Sequence, residues 1–286
     1  MKKKEGREGF KWSFSRISLY LNCKKAYWLR YVKGYKLLLP SIRLEWGNLV
    51  HEALSLYYSQ KIENPASYII EEGNKRTDFF EKKDRKKWTK LLEKSDALIK
   101  EYFEVTPIQF FSVGKIEDTV VAPLINLVNG EYSQEDLIWG KIDIAEFPFN
   151  KPVIVTDFKT KQREEAEDLV KKDPQLLFYA YLMFNLGHKP PIIRHINFIT
   201  TSQPKIQIIE SQTTERQIFD FSVSLWRIIE EIKNEKNFIG FPSFKCTFCN
   251  FFDLCIKEEY DRYIGPGLPE RTLKKKEEEG EENGTS

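Results

Sequence analysis

No glycine-rich loop of the form GxxxxGK[ST] occurs in the sequence, so a nucleotide-driven motor activity would have to come from another protein. No apolar run approaches the length of a membrane span, and the opening MKKKEGREGFKW has no hydrophobic segment of the kind a secretory signal needs. A cytoplasmic location with no membrane association is expected. Charge of one sign is not in excess either. The 45 Lys and Arg stand against 43 Asp and Glu, a net of +2, which gives no global electrostatic case for nucleic acid and leaves any basic surface to local clustering. There is no internal repeat. Cysteine is scarce, with 4 in 286 residues, and in a reducing compartment such a set points to a metal or cluster rather than to disulfides.

What is present suffices for a core. Hydrophobic residues make up 41% of the chain, and the length allows one large or two ordinary domains. After a short basic tail, SFSRISLYLNCKKAYWLRYV reads as a helix capped by Ser13 or Ser15, with apolar residues at helical spacing through Tyr31. A second helix is expected from about Ile42 to Lys61 and contains Gly47 and His51. The stretch 67–104 is highly charged and helical, and its basic run from Lys82 to Lys90 includes Trp88. It reads either as a solvated face or as a basic, aromatic groove for a nucleic-acid strand. Strands follow over 110–127, with Glu117 inside the first. Pro174 opens a further helix that places Gln175 and Tyr179 on one face at i and i+4. Strands at 192–200 and 205–211 precede a long amphipathic helix over 214–233, and the ending KKKEEEGEENGTS has too little apolar content to fold. Helices, strands, a helix, more strands and a last helix make an α+β fold with a mixed central sheet.

The stretch GKIDIAEFPFNKPVIVTDFK, residues 140–159, reads as two strands about a turn centred on Asn150. Asp143 and Asp157 are equidistant from Asn150, so a symmetric hairpin sets them opposite each other, where like charges destabilise a sheet unless something cancels them. Strand alternation puts Asp157 and Lys159 on one face and Phe158 on the other. Two hard oxygen ligands beside a lysine suit Mg²⁺ or Mn²⁺. A solvated face neutralised by Lys141 and Lys159 fits the same pattern. Near the C-terminus Cys246, Cys249 and Cys255 have the spacing C-x2-C-x5-C, and Cys23 is the one distant partner. Four thiolates complete either a tetrahedral zinc or a 4Fe-4S cluster, and three clustered cysteines with one remote suit the cluster at least as well.

Taken in order, these short motifs resemble the PD-(D/E)xK nuclease superfamily, and within it the RecB-type and CRISPR-associated iron-sulfur exonucleases. The matching residues are S-x-S-x-I-x-x-Y-x-x-C (Ser13, Ser15, Ile17, Tyr20, Cys23), G-x-x-x-H (Gly47, His51), G-x-x-D (Gly140, Asp143), D-x-K (Asp157, Lys159), Q-x-x-x-Y (Gln175, Tyr179) and the terminal cysteines. Two features depart from the pattern. Val-Thr precedes Asp157 where an apolar-Val pair is usual, and 67–104 is an insertion the catalytic motifs do not require.

The resemblance implies a restriction-endonuclease-like core in a single nuclease domain over 13–263. Its helical part, 13–104, carries Cys23 and His51, its catalytic sheet spans 105–212, and 213–263 holds the last helix and the cysteines. A basic tail over 1–12 and a disordered charged tail over 264–286 flank it. His51, Asp143, Asp157 and the Phe158 main-chain carbonyl are expected to bind Mg²⁺ or Mn²⁺, and Lys159 to position water or offset charge. Gln175 and Tyr179 are expected to touch the DNA backbone or orient Lys159. Cys23, Cys246, Cys249 and Cys255 would hold a 4Fe-4S cluster that joins the chain's two ends, with zinc less favoured. The implied activity is metal-dependent exonucleolytic hydrolysis of single-stranded DNA or DNA ends in recombination, repair or CRISPR spacer processing, with a separate helicase or CRISPR integrase as partner. The alternatives are an inactive DNA-end-binding scaffold and a zinc-stapled, RNA-directed hydrolase.

Overall fold

The computed structural model describes residues 10–268 apart from 39, 40 and 261; of the tails expected over 1–12 and 264–286, residues 1–9 and 269–286 lie outside the described residues, while Ile264 belongs to a short strand. Phe10–Trp12 form a strand, β1, where the sequence suggested the end of a tail. Ser13 caps α1 (Phe14–Asn22), its side chain accepting from the Arg16 N–H. The single helix expected through Tyr31 is broken at Cys23, whose backbone is extended at φ −164°, ψ 112°. Apolar periodicity runs on across the break, so a kink of one residue leaves no mark in it. α2 (Lys24–Tyr27) and a π-helical turn over Trp28–Val32 follow, then the short β2 (Lys36–Leu37).

Ser41 caps α3 (Ile42–Tyr58), the helix that carries His51. The charged stretch after it is three helices, α4 (Pro65–Lys75), α5 (Lys82–Glu93) and α6 (Ser95–Val105). Trp88 is fully buried there, packs in one core with Ile69, Leu92 and Leu98, and donates its indole N–H to the Gly73 carbonyl at 2.8 Å. The lysines around it face water. Trp88 is therefore a core residue and is not offered to a strand-binding groove.

β3 (Val113–Asn126), β4 (Glu131–Glu146) and β5 (Ile154–Lys161) build the centre of the sheet. α7 (Pro174–Asn185), β6 (Ile192–Ile199), β7 (Lys205–Gln212), α8 (Glu215–Asn234) and the short β8 (Tyr263–Ile264) complete the chain. The sheet order is β1-β4-β5-β6-β7, with β3 also paired to β4. β1 and β6 run parallel to β4 and β5 respectively, and the remaining pairs are antiparallel, so the sheet is mixed. β3 pairs along most of β4. β1 meets β4 at 136–138 and β5 meets it at 144–146, so these two strands share the other edge and leave 139–143 between them.

Two helical layers cover this sheet. Residues of α1, α7 and α8 close one apolar cluster, and those of α3 to α6 close a second against Ile144, Phe158, Ile196 and Phe198. A smaller cluster of Ala26, Leu29, Phe251, Leu254 and Tyr263, with β2 paired to β8, ties the first helices to the C-terminal segment. Among the described residues no helix is long and apolar enough to cross a membrane.

Candidate active site

β4 and β5 pair from Glu146↔Ile154 to Ile144↔Thr156. One step further the same register sets Asp143 across from Asp157, as a hairpin centred on Asn150 requires, but the backbone ladder stops there. The Asp143 carboxylate takes up the bonding instead, its Oδ2 accepting the Phe158 N–H at 2.7 Å. The two strands separate into a fork at this point. On the other side of β4, the pairs Ile116↔Ile144 and Asp118↔Ile142 flank Glu117 and place it across from Asp143. Glu117 has φ +49°, a left-handed conformation that costs a residue with a Cβ about 1 kcal/mol or more. Glu117, Asp143 and Asp157 thus stand in a row across three adjacent strands.

His51 reaches this row from α3. Its Nδ1 lies 3.1 Å from Asp143 Oδ1 and 3.6 Å from Glu117 Oε1, and its ring meets Phe158 edge-on at 6.0 Å. One donor atom from each of His51, Glu117 and Asp143 falls within 4.8 Å of the other two. An imidazole nitrogen with hard carboxylate oxygens at this spacing fits Mn²⁺ or Mg²⁺. Burial alone would lower the His51 pKa, but Asp143, then Glu117, outweigh it and raise it to about 10. Burial would raise Glu117, and His51 and Lys141 hold it below its ordinary value. A protonated His51 is itself the positive charge between two acids, whereas a metal takes the neutral ring.

Asp157 is 2% exposed. Its Oδ1 accepts from Gln175 Nε2 at 3.0 Å. Its Oδ2 lies 2.8 Å from Lys159 Nζ as an ion pair, out of line for a hydrogen bond, and has no hydrogen-bond partner. Burial, reinforced by the Asp143 charge, raises its pKa in spite of Lys159. Lys159 is also raised, because Asp157 overcomes the desolvation that would lower it. Lys159 Nζ donates to Gln175 Oε1 at 2.8 Å, and Gln175 Nε2 reaches the Tyr179 hydroxyl at 2.9 Å. That hydroxyl donates to the Lys141 carbonyl at 2.9 Å, on the stretch of β4 edge that neither β1 nor β5 covers. One amide on α7 therefore fixes the acid, the amine and the phenol together. Gly140 permits it: a Cβ there would stand 2.7 Å from Tyr179 Cε1.

Two residues at this centre carried no functional reading in the sequence. Glu117 was placed only as a strand residue, because it comes opposite Asp143 only after the register of β3 on β4 shifts between Pro123 and Ile125, an irregularity that counting outward from the turn does not reveal. His195, which matches no motif, pairs with Asp157 across β5 and β6 and is 1% exposed. Its Nε2 is 3.7 Å from both Asp157 Oδ2 and Asp173 Oδ2, and its Nδ1 is 3.2 Å from Glu165 Oε2. Such parallel pairing has no signature in a single sequence. His188 instead packs against Phe147.

The four cysteines come together away from the fork. Cys23, Cys246, Cys249 and Cys255 line one cavity of about 60 Å³. Tyr20 and Lys24 flank Cys23 and are both held by Glu231 and Glu235 at the end of α8, which brings the helix break to the C-terminal segment. Gly240 closes the approach, since a Cβ there would lie 3.7 Å from Cys23 Sγ. Burial raises the thiol pKa of Cys249 and of Cys255.

The model of the PD-(D/E)XK nuclease superfamily matches residues 11–256. No curated protein sequence matches the chain. Among solved structures, a protein from Eubacterium rectale named as a candidate exonuclease is 13% identical, with a TM-score of 0.49 over 79% of this chain and 82% of its own. The crystal structure of SSO0001 is 14% identical, with a TM-score of 0.35 over 75% of this chain and 85% of its own. At these scores neither overlay carries functional weight.

Proposed function

Because the chain belongs to the PD-(D/E)XK nuclease superfamily, we propose that it is a divalent-metal-dependent deoxyribonuclease of the RecB type, acting as an exonuclease on single-stranded DNA or frayed ends. The observation that carries this reading is the fork between β4 and β5, where His51, Glu117 and Asp143 converge beside the Asp157, Lys159 and Gln175 network. The buried Asp157 Oδ2, which accepts no hydrogen bond and is paired to the Lys159 ammonium, is an acceptor suited to a cation. His51, Asp143 and Asp157 hold the ion in this reading, with Glu117 and the Phe158 carbonyl completing the set.

A bound Mg²⁺ or Mn²⁺ supplies charge neutralisation on the phosphoryl oxygens and a water of lowered pKa. The chain's own groups do the rest. Lys159 keeps its proton because Asp157 stabilises the ammonium, and it offsets charge that develops on the phosphoryl group. Gln175 holds that ammonium in place and Tyr179 holds Gln175, so the amine is oriented before substrate arrives. Asp143 and Asp157 bind and do not attack phosphorus. An inactive scaffold is disfavoured, because it would gain nothing from three acids in a row.

We read the cysteine cavity as a 4Fe-4S site. All four cysteines line that one space, three of them from a single short segment, an arrangement that suits a cluster at least as well as zinc. Its role would be to staple the first helices to the segment after α8. Recombination, repair or CRISPR spacer processing, beside a helicase or integrase, are the settings that the resemblance favours.

The test is cleavage of 5′- and 3′-labelled DNA and RNA oligonucleotides by anaerobically purified protein with Mg²⁺ or Mn²⁺, with Asp157→Ala as control. Metal-dependent loss of DNA from one end by the unmodified protein alone is expected. Activity in excess chelator, or equal activity of Asp157→Ala, would contradict it.

A further inference from the structure

A second cavity, of about 270 Å³, opens where the first turns of α3 meet α5 and the end of β5. Trp46 and Leu91 form its apolar wall, and Arg43, Thr160, Gln162 and Thr200 form its polar one. Trp46 commits its indole N–H to Ser95 Oγ at 3.1 Å and is only 1% exposed, so it backs the space from the core and offers no ring face to it. Arg43 and Gln162 are exposed, and neither they nor the Thr160 hydroxyl have a polar partner among the described residues. Lys161 also lines the space but is paired to Glu165. The uncommitted cation is therefore a guanidinium, whose planar fork matches phosphate oxygens two at a time.

The cavity adjoins the fork along two elements. Thr160 directly follows Lys159 on β5. On α3, Gly47 lies one turn before His51, and a Cβ at Gly47 would stand 3.0 Å from Thr160 Oγ1. Arg43 lies two turns before His51, about 12 Å along the helix axis. A strand with one phosphate at the fork would bring a neighbouring nucleotide to this space.

We propose that the cavity seats one nucleotide of the strand being cut, with its phosphate on Arg43, Thr160 and Gln162 and its sugar against Leu91. Residues of α3, α5 and the end of β5 line the space and leave it open on one side to solvent, from which a single strand can enter. This rests on the nuclease reading.

The test pairs a binding readout with a kinetic one. Calorimetric titration of the full protein with a deoxynucleoside monophosphate, with the nucleoside alone and with inorganic phosphate separates phosphate from sugar recognition. The monophosphate is expected to bind more tightly than either part. Arg43→Ala is expected to weaken it about tenfold to a hundredfold. On linear oligonucleotides the same variant should raise KM by a similar factor with kcat within about twofold, and Arg43→Lys should recover part of the loss. Equal monophosphate binding by Arg43→Ala and the unmodified protein, or a fall in kcat with KM unchanged, would overturn the assignment. If the unmodified protein cuts no DNA, the nuclease reading fails, and the titration alone then decides the cavity.

Discussion

Lys159 is the residue whose loss separates binding from turnover. Its ammonium pairs with Asp157, one of the acids assigned to the ion, and with Gln175, but it supplies no donor atom to the ion itself. Lys159→Ala is therefore expected to leave Mn²⁺ affinity within a few-fold while cleavage falls by about 10²–10³-fold or more. Metal titration and single-turnover cleavage of the same preparation check this, and wild-type turnover would contradict it. His51 sets a pH dependence. Its pKa is raised from an ordinary 6.5 to about 10, so the stability it contributes to the metal-free protein is complete below about pH 6.5 and is lost as pH rises toward 10. Mn²⁺ must displace that proton, so calorimetry at pH 7.5 in buffers of different ionisation enthalpy should show about one proton released per ion, and His51→Gln should abolish the release. Most of this centre was legible in the sequence because His51, Asp143, Asp157, Lys159, Gln175 and Tyr179 sit in short spaced motifs. Glu117 and His195 were not, because each faces its acid only through the register of a neighbouring strand.

At the level of elements, the sheet is held at its centre by a buried ion pair. Arg194 on β6 meets Glu146 on β4 at 2.6 Å, both side chains being 4% exposed, and reaches Glu210 on β7 at 3.0 Å. Removing the guanidinium strands the Glu146 charge in the interior, so Arg194→Ala is expected to destabilise the fold by about 3–5 kcal/mol, measured by denaturant unfolding. A change within about 0.5 kcal/mol would show that the pair contributes little. Gly140 couples β4 to α7 through the approach of Tyr179. Gly140→Ala should displace Gln175 and lower turnover more than it lowers stability, which parallel cleavage and melting measurements would reveal. The helices α3, α7 and α8 and the hairpin about Asn150 could be read from periodicity and caps, whereas 67–104 was legible only as helical and not as α4, α5 and α6, the last two of which lack a side-chain cap. The break at Cys23, the strand at Phe10–Trp12 and the burial of Trp88 could not, because each depends on what another part of the chain packs against it.

Across the whole molecule, the first helices and the segment after α8 are brought together by an apolar cluster and a cavity lined by all four cysteines. If those thiolates hold a 4Fe-4S cluster, Cys23→Ser should lose the visible iron-sulfur absorption. It should also lower the melting temperature by about 10 °C, as expected for a cross-link of about 3 kcal/mol closing a long loop. An unchanged spectrum and melting point would remove the staple from the account. That staple is secondary to the fork, where one histidine and a row of acids from three strands are assigned a single divalent ion. Anomalous diffraction from a Mn²⁺-soaked crystal tests this most directly. The account predicts one strong peak bonded to His51, Asp143 and Asp157, with Glu117 beside it. A peak elsewhere on the protein, or none with these side chains unmoved, would contradict it.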